Sequence, residues 1–138
     1  MNVYLDASVV LRRLQQEPAS VRTWGQWGHA YSSELLRVEV LRTIDRNRLR
    51  NALTDREVAE LATRAHAIFD AIEFVALTPA ILNRASQSFS TALGTLDALH
   101  LATALRLVEL LGIRLVLLTH DAELALAARG VNFSVEGV

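Results

Sequence analysis

Leu115-Val116-Leu117-Leu118-Thr119-His120-Asp121 carries the strongest fold signal in this chain. Its first four residues are continuous and apolar, as a strand buried on both faces should be, and strands of that kind belong to parallel sheets. An aspartate closes the stretch. The chain opens in the same way, with Met1-Asn2-Val3-Tyr4-Leu5-Asp6. In an open α/β sheet, ligands bind beyond the carboxyl ends of the strands, where strand order reverses. Asp6 and Asp121 both fall at such ends.

On either side of these runs, residues 2–6, 29–32, 73–77, 115–118 and 131–135 read as strands. The first helix covers residues 7–16, and a short one runs from Pro18 to about Trp27. Ser33 caps a long helix to about Leu49. Thr54, with Glu57 at the capping-box position, opens residues 55–72. Thr78-Pro79 is an N-cap followed by proline at the first helical position, and opens a helix to about Thr91. Gly94-Thr95 opens the most apolar helix, residues 96–111, which Gly112 ends; a last helix over residues 122–128 stops at Gly130. Strands alternating with helices predict an α/β fold, a three-layer sandwich with a central parallel sheet of about five strands flanked by helices.

A length of 138 residues suits one domain spanning 1–138. No apolar stretch approaches the roughly 18–20 residues that a membrane span needs, so no membrane association is expected. The start has no basic region and no small-residue cleavage site, so export is not expected either. Cysteine is absent, which excludes disulfides and thiolate metal sites and fits a reducing cytoplasm. The formal net charge of −1 gives no global basic field for nucleic acid. Every basic side chain is Arg, so lysine chemistry is excluded and any phosphate contact falls to guanidinium groups, which bind bidentately.

Four acids stand at places that matter for a sheet-mouth site: Asp6, Glu39, Asp97 and Asp121. Each has an ordinary reading. Asp6 is placed to cap the helix after it, and Asp121 to cap the last helix or form its turn. Glu39 is placed to pair with Arg42 at i+3. Asp97, in a helix's first turn, complements the helix dipole. Jointly these readings weaken, because a sheet mouth is a poor place for uncompensated charge. No Arg lies within residues 96–105 or 115–123. Glu39 flanks the Leu36-Val40-Ile44 stripe that should face the sheet. Carboxylates gathered there call for a divalent cation, and Mg²⁺ or Mn²⁺ prefers oxygen ligands.

These residues resemble the PIN-domain ribonuclease family, in particular the VapC toxins of VapBC toxin–antitoxin pairs. The matching segments are Tyr4-Leu5-Asp6-Ala7-Ser8, Ser32-Ser33-Glu34-Leu35-Leu36-Arg37-Val38-Glu39, Leu96-Asp97-Ala98-Leu99-His100-Leu101-Ala102, and Leu118-Thr119-His120-Asp121-Ala122-Glu123 with its continuation to Ala128. The resemblance implies a PIN-like fold, with Asp6, Glu39, Asp97 and Asp121 as both catalytic and metal-binding residues. It implies Ser8 and Thr119 as supporting hydroxyls, although capping or turn formation would serve those two as well. It further implies hydrolysis of RNA phosphodiesters with Mg²⁺ (or Mn²⁺), leaving 5′-phosphate and 3′-hydroxyl ends. A small antitoxin partner and a homodimer follow from it too, and the apolar helices over residues 55–72 and 78–91 offer a dimer face.

Arg12, Arg13, Arg42 and Arg46 are candidates to track an RNA backbone; with Arg37, Arg48 and Arg50, the last two also read as a solvated basic face. Trp24 and Trp27 read as packing residues, His29 and His66 as structural. His100 reads as a packing residue or a hydrogen-bond partner behind the site, and His120 stands where the family commonly has an aromatic or apolar residue. Rival enzyme classes fit poorly. A phosphoaspartyl phosphatase wants an Asp where Ser8 stands, a receiver domain needs a late Lys, and an integrin-like site wants a Ser where Val10 stands. The remaining alternative is a PIN-like scaffold that binds metal or RNA without cutting.

Overall fold

Parallel pairing fixes five strands in the order β3-β2-β1-β4-β5, with β1 (Asn2–Leu5), β2 (His29–Ser33), β3 (Glu73–Val75), β4 (Leu115–Leu118) and β5 (Ser134–Glu136). The computed structural model describes residues 1–15, 21–51 and 53–138. Among the described residues, six helices cover the two faces of the sheet: α1 (Ala7–Leu14), α2 (Leu35–Asn51), α3 (Asp55–Asp70), α4 (Pro79–Ala85), α5 (Thr95–Leu111) and α6 (Ala122–Gly130). This is the three-layer α/β sandwich expected from the sequence.

The period-two alternation of a strand divides β1 between two cores. Val3 and Leu5 point into one core with Val9 and Val10 of α1, Leu36 and Val40 of α2, and Phe69 of α3. Tyr4 points into the other, with Leu101 and Leu107 of α5 and Leu124 of α6. β4 splits likewise, Leu118 going with the first core and Leu115 and Leu117 with the second. From β1 the chain steps to β2 and β3 on one side, then crosses to β4 and β5 on the other. Strand order therefore reverses between β1 and β4, and that is where a doubly wound sheet opens a crevice.

Local signals set most boundaries. Thr54 and Glu57 form both halves of the capping box, and Gly112 stops α5 with a left-handed φ of 61°. Three expectations change. The end of the first helix at Gln16 and the restart at Pro18 lie outside the described residues, but residues 22–25 form turns rather than helix. Trp24 N–H bonds to Val21 O and Gln26 N–H to Thr23 O, around Gly25 at φ 79°, a value that closes a turn and ends any helix. α4 ends at Ala85 rather than near Thr91: the Ser86 and Gln87 N–H groups turn back to the Asn83 and Arg84 carbonyls at 3.2 Å each, and Arg84 turns onto the Ser88 carbonyl and the Phe89 ring. The last strand starts at Ser134, after Asn132 adopts φ 69°.

Of the large exposed apolar side chains among the described residues, α3 and α4 together hold only Leu82. More stand on α2 (Val38, Leu41, Leu49) and α5 (Leu96, Leu110, Leu111). Among the described residues, no helix is long and apolar enough to cross a membrane.

Candidate active site

At the switch point the backbone places Asp6 next to Thr119. Asp6 N–H bonds to the Leu118 carbonyl at 3.1 Å, and Thr119 N–H bonds to Glu136 O at 3.1 Å. Asp6 stands at the N-cap position of α1, yet its side chain makes no capping bond. Its Oδ2 instead accepts the hydroxyls of Ser8 at 2.7 Å and Thr119 at 2.8 Å. Those hydroxyl oxygens accept in turn, Ser8 Oγ from the His120 N–H at 2.9 Å and Thr119 Oγ1 from the Asp121 N–H at 3.0 Å. Asp6 and Thr119 are buried and Ser8 partly so, and each hydroxyl spends its proton on one carboxylate oxygen. Asp121 does cap α6, its Oδ1 accepting from Glu123 N–H at 2.8 Å and Leu124 N–H at 3.0 Å.

The C-terminal segment closes over this junction. Gly137 adopts φ 107°, and a Cβ there would lie 2.3 Å from the Thr119 carbonyl, so only glycine fits. Its carbonyl lies 2.7 Å from His120 Nδ1, whereas His120 Nε2 is buried without a hydrogen-bond partner.

Helices supply the opposite wall. Glu39 does not pair with Arg42, which faces Asp45 at 3.8 Å. Glu39 Oε1 lies 2.5 Å from His100 Nε2, and the same nitrogen is 3.9 Å from Asp6 Oδ1. His100 is fully buried, and its Nδ1 lies 2.8 Å from the Tyr4 hydroxyl. Ligand atoms of Asp6, Glu39 and His100 fall within 4.8 Å of one another. Asp97 and Asp121 stand outside this tight group, but Asp97 registers the field of all the other acids. Burial first, then the charges of Asp121, Asp6 and Glu39, push its pKa up to about 6, against the opposing pull of His100. Burial pulls His100 down, yet the Glu39 hydrogen bond and the surrounding carboxylates leave it raised. Both shifts report the same thing, an excess of negative charge in a partly dry crevice. Oxygen donors with that imbalance fit a hard divalent cation.

All four acids of the sequence reading are thus found around the switch point. Ser8 and Thr119 both donate to Asp6, and Thr119 also closes the turn into α6 by accepting the Asp121 N–H. Arg37 lies 4.6 Å over Phe74 and 5.6 Å over Phe69. Arg48 joins Arg42 on Asp45, and Arg46 is exposed. Arg12 and Arg13 occupy the last turn of α1, Arg13 over the Trp24 ring at 5.5 Å. Trp24 packs edge-on against Trp27 at 5.3 Å, as packing residues would. Sequence reasoning gave Tyr4 no role; it read His100 as a packing residue or a hydrogen-bond partner behind the site, and the contacts with Glu39 and Tyr4 agree with the second. The available signal was spacing: His100 is three residues past Asp97 on one helix, and Tyr4 two before Asp6 on one strand.

A parallel α/β sandwich with an acidic crevice at its switch point is the class that fold and site define. The PIN domain family model matches residues 3–130, and the chain belongs to that family. It is 29% identical to Ribonuclease VapC47 of Mycobacterium tuberculosis (strain CDC 1551 / Oshkosh), over 95% of this chain and 93% of that protein. Its fold is similar to that in the crystal structure of VapBC2 from Rickettsia felis bound to a DNA fragment from their promoter, with a TM-score of 0.64 and 13% identity over 99% and 98% of the two chains. The structure of VapBC-1 from nontypeable Haemophilus influenzae is similar too, with a TM-score of 0.62 and 13% identity over 99% and 97%. At that identity the likeness speaks to fold alone.

Proposed function

We propose that this chain is a metal-dependent endoribonuclease of the VapC kind, the toxin of a toxin–antitoxin pair. The observation that carries the reading is the convergence of Asp6, Glu39 and His100, whose ligand atoms lie within 4.8 Å of one another at the switch point, with Asp97 close enough to feel the charges of Asp6, Glu39 and Asp121. Asp6, Glu39, Asp97 and Asp121 would hold Mg²⁺ or Mn²⁺. When bound, such an ion acidifies a coordinated water and stabilises charge on the phosphoryl oxygens.

The chain's own residues do the rest. Ser8 and Thr119 lock Asp6 Oδ2 and so fix where Oδ1 points. The α6 backbone does the same for Asp121 through Oδ1. Uncompensated acids also repel a phosphodiester, so the crevice admits RNA only when its charge is balanced. Arg42 and Arg46 follow Glu39 by three and seven residues on one flank of α2, where guanidinium groups can grip the backbone of a bound strand. The relative named a ribonuclease supports the RNA reading, and the two VapBC structures support a small antitoxin partner. We also assign a homodimer and a cytoplasmic location to this reading.

Incubating the purified chain with cellular RNA and Mn²⁺ tests it. Cleavage should stop with chelator, with Asp97→Asn, and with the co-expressed product of a short neighbouring reading frame. RNA left intact while Mn²⁺ is bound, or cut equally by Asp97→Asn, would overturn it.

A further inference from the structure

Two buried side chains behind the acids remain without a role. Tyr4 Oη receives the Ser33 N–H at 3.1 Å and lies 2.8 Å from His100 Nδ1. His100 Nε2 faces Glu39 Oε1 at 2.5 Å. The chain Ser33–Tyr4–His100–Glu39 therefore crosses β2, β1, α5 and α2, linking the floor of the sheet to an acid on its far wall. Tyr4 and His100 have no exposed surface, so water does not compete for these bonds.

The proton positions follow from the donors available. Nε2 faces the Glu39 carboxylate, an acceptor, at 2.5 Å and so carries the ring's N–H; Nδ1 is then left to accept the Tyr4 hydroxyl, whose oxygen already takes the Ser33 N–H. A doubly protonated ring would carry an N–H at Nε2 as well. In both cases Nε2 donates to Glu39 and has no lone pair for a cation, although it lies within 4.8 Å of the Asp6 and Glu39 ligand atoms.

We propose that Tyr4 and His100 are positioning residues that aim Glu39: Tyr4 holds the tautomer and tilt of the His100 ring, and the Nε2–H ties down Oε1, leaving Oε2 for the cation. Groups that orient ligands in this way commonly change metal affinity by about 10–100-fold when removed. The proposal rests on the metal-dependent reading above and goes beyond it by excluding His100 as a ligand.

The test uses the full chain, with Mn²⁺ titrated calorimetrically in the absence of RNA and ¹⁵N NMR of the histidine rings. Tyr4→Phe should weaken Mn²⁺ binding about tenfold and His100→Leu up to about a hundredfold. His100→Gln, whose amide still donates at the reach of Nε2, should recover most of that loss. Circular dichroism confirms that each variant is folded, and Tyr4→Phe, which keeps the ring, carries the test should His100→Leu not fold. In the metal-free protein, NMR should show His100 protonated at Nε2, and Mg²⁺ should leave that proton in place. Loss of the proton on adding Mg²⁺, a glutamine variant no better than leucine, or Tyr4→Phe binding as the unaltered chain does would each overturn the proposal. Failure of the unaltered chain to bind any Mn²⁺ would sink the metal-dependent reading instead, and the metal-free NMR spectrum would still judge the hydrogen-bond chain.

Discussion

The two walls of the crevice are built on different principles. On the strand wall, Asp6 and Asp121 are held by hydroxyls and backbone N–H groups whose positions the sheet and the start of α6 dictate. On the helix wall, Glu39 depends on one imidazole, and Asp97 is held chiefly by the place its helix gives it. The first wall is satisfied without a cation. The charges of both walls meet at Asp97, on which Asp121 and Asp6 act more strongly than Glu39. Metal-free stability should therefore respond differently to substitution on the two sides, while activity should fall on both.

The largest expected effect is on activity, where the walls should agree. Asp6→Asn and Asp97→Asn should each lower metal-dependent RNA cleavage by about a thousandfold or more, about 4 kcal/mol of transition-state stabilisation. Single-turnover rates at saturating Mn²⁺ check this, and a loss below tenfold for either would remove that acid from the site. Next comes the metal response. A cation that binds only the folded form at a hundredfold excess over Kd adds about 2.7 kcal/mol, or roughly 5–10 °C in Tm for a chain of this length. Asp97→Asn should lose most of that rise.

The walls should separate in the metal-free protein. Thr119→Val deletes a fully buried hydroxyl that donates to Asp6 and accepts from the Asp121 N–H. Leaving those partners unpaired should cost about 1–3 kcal/mol. Asp97→Asn removes a repelled charge and should leave Tm unchanged or higher. Thermal unfolding in chelator compares them directly. A Thr119→Val variant more stable than Asp97→Asn would reverse the assignment of the two walls.

How legible each wall was follows from the range of its interactions. Asp6 and Asp121 could be placed because strand ends are local features, written in two apolar runs and in the topology rule for parallel sheets. The capping box at Thr54 and Glu57 was legible for the same reason. The short reach of α4 was not, since it depends on Ser86 and Arg84 turning back on the chain beyond the Thr78-Pro79 start. The Tyr4–His100–Glu39 chain was hidden because its partners are separated by 96 and 61 residues, and no local pattern encodes that meeting. The ring contacts of Arg37 were hidden for a similar reason: it is exposed, as a basic face has it, but Phe74 and Phe69 reach it from 37 and 32 residues away.

The smallest expected effect is also the one that isolates the helix wall. Asp97 ionises near pH 6 in the folded protein against 3.8 for the free group, so the native state binds its proton more tightly than the unfolded chain does. The stability gained is fully present below pH 3.8 and is lost as pH rises through about 6. His100 is raised above 6.5, which has the same sign: its contribution is present below that value and fades at higher pH. Between about pH 5 and 7.5 most other carboxylates stay ionised, so metal-free Tm should climb as pH falls across this window. Added Mn²⁺ should flatten the slope, because ionised carboxylates are what the cation binds. Asp97→Asn should flatten it without metal, whereas Thr119→Val should lower the whole curve and keep its slope. A slope unchanged in Asp97→Asn would mean that the excess charge sits elsewhere, and the contrast between the two walls would fail with it.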